Sequence, residues 1–202
     1  MELVLVRHAL PVRIDATADG VPADPGLAPR GHDQALQLVQ ALAGQDVAAI
    51  YSSPQLRARE TAAPLAQALG LEVEIVGGLA EFDSGHASYV PVEELRAAGD
   101  PRWHALVAGN LYGAGVDPAA FQAAVVAAVE GIAERHPGGR AVLVMHAGSI
   151  NAYGGHVLQQ TRSLWFAPAY ASVSRIGASR DGRRGVVSLN ETAHVRDLLV
   201  SS

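Results

Sequence analysis

Short apolar runs alternate with longer stretches of helical spacing along most of this chain. Leu3-Val4-Leu5-Val6 is continuous and carries β-branched residues, the pattern of a strand buried on both faces. From Gly31 to Ala43, residues Ala35, Leu38, Val39 and Leu42 fall on one stripe and predict an amphipathic helix. Val47 to Tyr51 predicts a second strand. A helix from about Pro54 to Leu69 follows, with Ser53 as its N-cap and Gly70 as its C-cap. Glu72 to Val76 reads as a third strand, after which the periodicity loosens. Glycine, proline and aromatic residues are scattered from Gly77 to Gly115, so loops and one short helix around Val92 to Leu106 are expected there. Helical spacing returns at Phe121, Val125, Val129 and Ile132 and ends at Pro137-Gly138-Gly139. Ala141 to Met145 is another buried strand, followed by a helix from Ser149 to Leu158. Ala171 to Ala178 and Gly185 to Leu189 are joined by Arg180-Asp181-Gly182-Arg183, the composition of a hairpin turn.

Strands alternating with helices imply parallel pairing through helical crossovers, hence an α/β fold with a mostly parallel central sheet. The 202 residues are 49% hydrophobic and contain no repeat or long linker, so residues 1–202 are expected to form one domain. Residues 77–115 are then a loop and helix insertion covering whatever site the sheet presents. No apolar run suffices for a membrane span, and the opening MELVLVRH lacks the basic leader expected of a signal peptide. The absence of cysteine excludes disulfides, a thiol nucleophile and thiolate metal sites, and fits a cytoplasmic protein. A net charge of -5 argues against nucleic acid or a membrane surface as partner. All 15 basic side chains are arginine, so an anion site here must be built from arginine forks, histidines and backbone amides.

In open α/β sheets ligands gather at the carboxyl ends of the strands. The first strand ends in Arg7-His8, the Ala141–Met145 strand in His146-Ala147-Gly148, and the second strand in Ser52-Ser53, with Arg57 a turn beyond. Two histidines and two arginines are thus delivered toward one edge of the sheet. Arginine forks match phosphate oxygens in a bidentate manner, and two cations beside His8 disfavour its protonated form. A ring nitrogen of His8 is then free to attack phosphorus.

These residues sit in segments that together resemble the histidine phosphatase superfamily, which includes the cofactor-dependent phosphoglycerate mutases. Leu5-Val6-Arg7-His8 followed by a small residue resembles its RHG signature. Leu27-Ala28-Pro29-Arg30-Gly31-His32-Asp33-Gln34-Ala35 is similar to its L-[ST]-x-x-G-x-x-Q-A helix entry. The stretch from Ser52 to Ala62 is similar to S-S-P-x-x-R-A-x-x-T-A, and Val142 to Ile150 to V-x-V-x-H-G-G-x-I. Leu189-Asn190-Glu191-Thr192-Ala193-His194 adds a further likeness near the end. The resemblance implies a three-layer sandwich, phosphoglycerate mutase-like, and a phosphoric monoester hydrolase needing neither cofactor nor metal. It implies that His8 becomes phosphohistidine and that Arg7, Arg57 and His146 bind the transferred group. The absence of an extended basic groove in the sequence favours a small phosphorylated substrate, with sugar phosphates, phosphoglycerate-like acids, nucleotides and phosphopeptides all open. The family places its proton donor in an E-x-x-x-G context after the third strand. Glu81-Phe82-Asp83-Ser84-Gly85 fits, making Glu81 the general acid and Asp83 the alternative on the same loop.

The chain departs from the pattern at Ala9 and Ala147, each standing where a glycine is usual, and in Leu10-Pro11-Val12-Arg13, which lacks the usual acidic and hydroxyl residues. Arg13, His86, Tyr89 and Tyr170 are further candidates for substrate contact, each with an ordinary structural role as its alternative. Three rival readings stay open at this point. A mutase would return the phosphoryl group to another hydroxyl. Two histidines and a carboxylate could hold a metal, although the two arginines would repel it. A binding module would hold a phospholigand without turning it over. The apolar and aromatic residues of 77–115 are also a candidate homodimer contact.

Overall fold

The computed structural model describes residues 1–17, 20–108 and 116–199. Six strands form one sheet: β1 (Glu2–Arg7), β2 (Ala49–Ser52), β3 (Val73–Ile75), β4 (Arg140–Met145), β5 (Val173–Ala178) and β6 (Arg184–Glu191). Their order across the sheet is β3-β2-β4-β1-β5-β6. β1 runs parallel to β4, and β4 and β3 run parallel to β2, whereas β5 is antiparallel to β1 and to β6. The hairpin expected at the end of the chain is therefore the antiparallel edge of a mostly parallel, single-domain α/β sheet.

Alternate side chains of the central strands feed two cores, as the period of two along a strand requires. Val4 and Val6 face Leu38, Leu42 and Leu65, which come from α1 (Pro29–Leu42) and α2 (Leu56–Leu69). Leu3 and Leu5 face Val125, Val129, Ile132 and Tyr153, from α5 (Pro118–Arg135) and α6 (Ala147–Leu158). Helices on both faces bury β1 and β4 from their second residues onward, which is why these strands read as apolar runs.

Register is what positions the site. Glu2 lies opposite Arg140 and Arg7 opposite Met145, and the His8 N–H extends the ladder by donating to the Met145 carbonyl at 2.9 Å. The carboxyl ends of the two central strands therefore finish level, with His8 and His146 as the next residues of each. From there the chain leaves β1 toward one face and β4 toward the other, the arrangement that opens a crevice at a sheet's edge.

Two local expectations are corrected. The helix behind β2 begins at Leu56, not Pro54, with Gln55 at its N-cap and no side-chain cap hydrogen bond. The Ser53 hydroxyl lies ahead of that turn, where it accepts from the Gln55 N–H at 3.3 Å and stands 2.7 Å from His146 Nε2. The single helix expected over 92–106 is two, α3 (Val92–Ala97) and α4 (Pro101–Val107). Gly99 adopts a φ of 60°, Asp100 accepts from the Arg102 N–H, and Pro101 cannot continue a preceding helix, so the chain breaks and restarts there. Gly70 closes α2 at a φ of 66°, as its C-cap role demands. The last part of the segment expected to cover the site, residues 109–115, lies outside the described residues. Among the described residues, no helix is long and apolar enough to cross a membrane.

Candidate active site

The two histidines that follow β1 and β4 stand with ring centroids 4.9 Å apart, both almost wholly buried. His8 Nδ1 is 2.8 Å from the carbonyl oxygen of Ala9. A carbonyl can only accept, so the proton resides on Nδ1 and the lone pair on Nε2. Ala9 is itself pinned, its N–H donating to Thr61 Oγ1 at 2.9 Å, which fixes the carbonyl that fixes the ring. Burial, then Arg57 and Arg7, hold the His8 imidazole well below its ordinary basicity, so it is neutral. Burial, then Arg57, does the same to His146. The arrangement leaves a neutral imidazole with one free nitrogen between two cations.

Arg57 projects from the first turn of α2 and is 1% exposed. Its Nη2 donates to Asp83 at 2.9 Å, and its guanidinium lies 4.6 Å from the centre of the Tyr89 ring. Arg7, the last residue of β1, donates from Nη1 to Glu93 at 2.8 Å and to the Pro168 carbonyl at 2.7 Å. It stacks 3.7 Å from the Tyr170 ring centre. Arg7 Nε, Arg57 Nε and Nη1, and His146 Nδ1 are buried and have no hydrogen-bond partner. Nitrogens left bare in an interior cost about 1–3 kcal/mol each, more when charged, so their concentration around His8 marks a seat for an anion with several oxygens.

Glu81 closes the site. Its Oε2 accepts from the Gly148 N–H at 2.8 Å and its Oε1 from its neighbour Phe82 N–H at 3.2 Å, while Gln55 accepts from the Glu81 N–H. A Cβ on Gly148 would stand 2.3 Å from Glu81 Oε1 and 2.4 Å from the Phe82 ring, so only glycine permits this approach. Burial first, and the charge of Asp83 second, push the Glu81 carboxyl up to about 8, against the partial pull of the two amides. At neutral pH it carries its proton.

Arg7, His8, Arg57, Glu81 and Asp83 thus line a single cavity, with His146 packed against His8 and Tyr170 against both Arg7 and His8. Tyr89 lines it too. Asp83 is engaged with Arg57 and with the Gln55 amide, which ties the alternative acid to the fork. Two candidates stand apart. Arg13 is half exposed, paired with Asp15 and Glu94, and does not line the cavity; His86 lines an adjoining groove. Both substitutions of glycine are accommodated, Ala9 in the core and Ala147 in the cavity wall. Glu93, Gln55 and the Ser53 hydroxyl were not singled out from the sequence as site residues. Ser53 and Gln55 sit in the S-S-P-x-x-R stretch, where a signal existed. Glu93 had none, since it reads as one of two carboxylates on a short helix.

Three of these groups set opposing pH dependences for stability. Each histidine has a folded-state basicity depressed below 6.5, so its contribution is lost as pH falls through the range where the unfolded imidazole protonates. Glu81 is raised from 4.5 to about 8, so its contribution is complete at low pH and lost as pH climbs between those values. With two histidines against one carboxyl, stability is expected to peak near pH 6.5. Thermal unfolding from about pH 5 to 9 should show this maximum, and Glu81→Gln should flatten the alkaline side while steepening the acid side, where the two histidines then act unopposed. A Tm that climbs steadily through pH 8 would contradict the buried, protonated carboxyl.

The family model described as the histidine phosphatase superfamily (branch 1) matches residues 3–192. Phosphoserine phosphatase 1 of Hydrogenobacter thermophilus is 29% identical over 206 residues, spanning 100% of this chain and 98% of that protein. A phosphoserine phosphatase structure from Entamoeba histolytica superposes with a TM-score of 0.76 at 22% identity, covering 96% of this chain and 98% of that one. A mycobacterial glucosyl-3-phosphoglycerate phosphatase structure does so with a TM-score of 0.76 at 22% identity, covering 94% and 98%. At such identities the structural likeness establishes the fold.

Proposed function

The chain belongs to the histidine phosphatase superfamily, and from that premise we propose that it is a metal-independent phosphatase of a small phosphomonoester, working through a phosphohistidine on His8. The observation that carries this reading is the set of bare, buried donors on Arg7, Arg57 and His146 around a neutral imidazole whose Nε2 is free. A dianionic phosphoryl group supplies the oxygens those donors lack. As the His8 Nε2–phosphorus bond forms and the ester P–O bond breaks, the forks stabilise the charge on the equatorial oxygens. The leaving alkoxide takes the Glu81 proton. Water then attacks the phosphohistidine, giving a proton to the Glu81 carboxylate, and phosphate departs with His8 neutral again.

The relatives named for phosphoserine and glucosyl-3-phosphoglycerate support a small phosphoester as substrate class. The test is release of inorganic phosphate from a panel of small phosphomonoesters in the presence of a strong chelator, with His8→Ala alongside. Release by the wild-type protein alone is expected. Release that needs an added divalent cation, or isomerisation without release, would replace this reading with another.

A further inference from the structure

We propose that the site selects a phosphomonoester of a small uncharged alcohol and discriminates against substrates that carry a carboxylate beside the phosphate. The proposal rests on the phosphatase reading and concerns the half of the substrate that leaves. A cation account can be closed because lysine is absent, so every permanently charged cationic side chain is an arginine, and all 15 fall among the described residues. Only Arg7 and Arg57 line the cavity. Each already faces a carboxylate, Glu93 at 2.8 Å and Asp83 at 2.9 Å, and their remaining bare donors are those the phosphoryl oxygens use. Once a dianionic phosphoryl group is bound, the fixed charges around it carry no positive surplus. Asp83 and Glu93 leave the neighbourhood negative.

The wall beyond the phosphate seat agrees with this charge balance. Val90, Val92, Leu106, Leu164 and the Phe82 ring line it. A carboxylate placed there gives up its hydration for aliphatic contacts and sits within reach of like charges, both unfavourable. An alkyl or hydroxyalkyl group meets no such opposition. The arginines closest in position do not alter the account. Arg13 is committed to Asp15 and Glu94. Arg102 lines the groove that shares Asp83, Tyr89 and Val90 with the cavity, and it is paired with Asp100 at 2.8 Å. Arg162 lines a separate groove that shares Gly148 with the cavity without entering the cavity's own lining.

The decisive pair is glycerol 3-phosphate and 3-phosphoglycerate, which differ only in a hydroxymethyl group against a carboxylate. Wild-type kcat/KM is expected to favour glycerol 3-phosphate by tenfold or more, with n-propyl phosphate at least as good as glycerol 3-phosphate. Leu164→Arg, which adds a cation to the wall, should narrow or reverse the preference by raising kcat/KM for 3-phosphoglycerate. Calorimetric binding of the same pair to His8→Ala reads the selectivity without turnover. Tighter binding of glycerol 3-phosphate there upholds the proposal even if the wild-type protein hydrolyses nothing, in which case the phosphatase reading alone fails. Equal or better use of 3-phosphoglycerate by the wild-type protein overturns the proposal and leaves that reading intact. A rise in KM for 3-phosphoglycerate alone on Arg162→Gln would likewise overturn it, by showing a carboxylate seat in the neighbouring groove. Failure of His8→Ala to bind either compound removes both.

Discussion

His8→Ala is expected to lower kcat by a factor of about 10⁴ or more, the scale on which removal of a covalent nucleophile acts. The size follows from what remains. Arg7, Arg57 and His146 still hold the phosphoryl group, but no group within the cavity can replace a neutral imidazole with a free nitrogen. His146 is a poor substitute because, with the Ser53 hydroxyl donating to its Nε2, the proton of the neutral ring sits on the bare Nδ1 and no lone pair is free. Binding should survive the substitution, so inorganic phosphate is expected to bind the variant with affinity near that of the wild-type protein. The fold should survive as well. The ring makes one hydrogen bond, to the adjacent carbonyl, and its loss removes a buried polar group crowded by two cations. A Tm within about 5 °C of wild type is the corresponding expectation. Acid-labile, alkali-stable phosphate should be trapped on wild-type protein quenched during turnover, and be absent from the variant. Turnover by His8→Ala above about one per cent of wild type, with no trapped phosphate on either protein, would rule out the covalent route.

Glu81→Gln carries the second large effect, and its signature is dependence on the leaving group. An alkoxide is a poor leaving group without a proton, so phosphorylation of His8 by an alkyl phosphate should slow by about 10²–10³. p-Nitrophenolate leaves without help, and its release in the first turnover should stay within about tenfold of wild type. The following step still needs a base to activate water. The variant is therefore expected to release a rapid burst of p-nitrophenolate and then stall as phosphoenzyme. Glutamine keeps an oxygen for the Gly148 N–H, so the geometry is disturbed little. The wild-type rate of leaving-group departure with an alkyl phosphate should fall as pH rises past about 8, where the free protein's carboxyl ionises. That limb should vanish in the variant. Equal rates for both proteins on an alkyl phosphate would transfer the acid role away from Glu81, with Asp83 the nearest carboxyl.

The legibility of this site varied with how each residue is placed. Arg7, His8 and His146 could be found because they directly follow unbroken apolar strands, where polar residues make poor core. Arg57 followed from its place one turn past β2, and Glu81 from the resemblance to the family's pattern after β3. Glu93 was out of reach because its contact with Arg7 spans 86 positions and depends on how α3 packs over the cavity. Ser53 reads as a helix cap because a hydroxyl ahead of Pro54 suits one, whereas the helix starts at Leu56 and the same hydroxyl reaches His146, a contact across 93 positions. Arg13 reads equally as a substrate ligand or a surface residue, because position along the chain places a cation near the nucleophile without saying which way it faces. In the fold its charge is turned outward to Asp15 and Glu94.

Local rules, acting within one turn or one strand, were enough for the sequence to determine the α/β alternation, the buried central strands, the glycine closing α2 and the residues at the strand ends. Only the tertiary structure decided which of those ends meet. The parallel register of β1 on β4 sets His8 beside His146, and α3 brings Glu93 onto Arg7. It also decided the protonation of the site. Burial neutralises both imidazoles and keeps a proton on Glu81, and burial belongs to the packed molecule, since no residue's own neighbours in sequence exclude water from it.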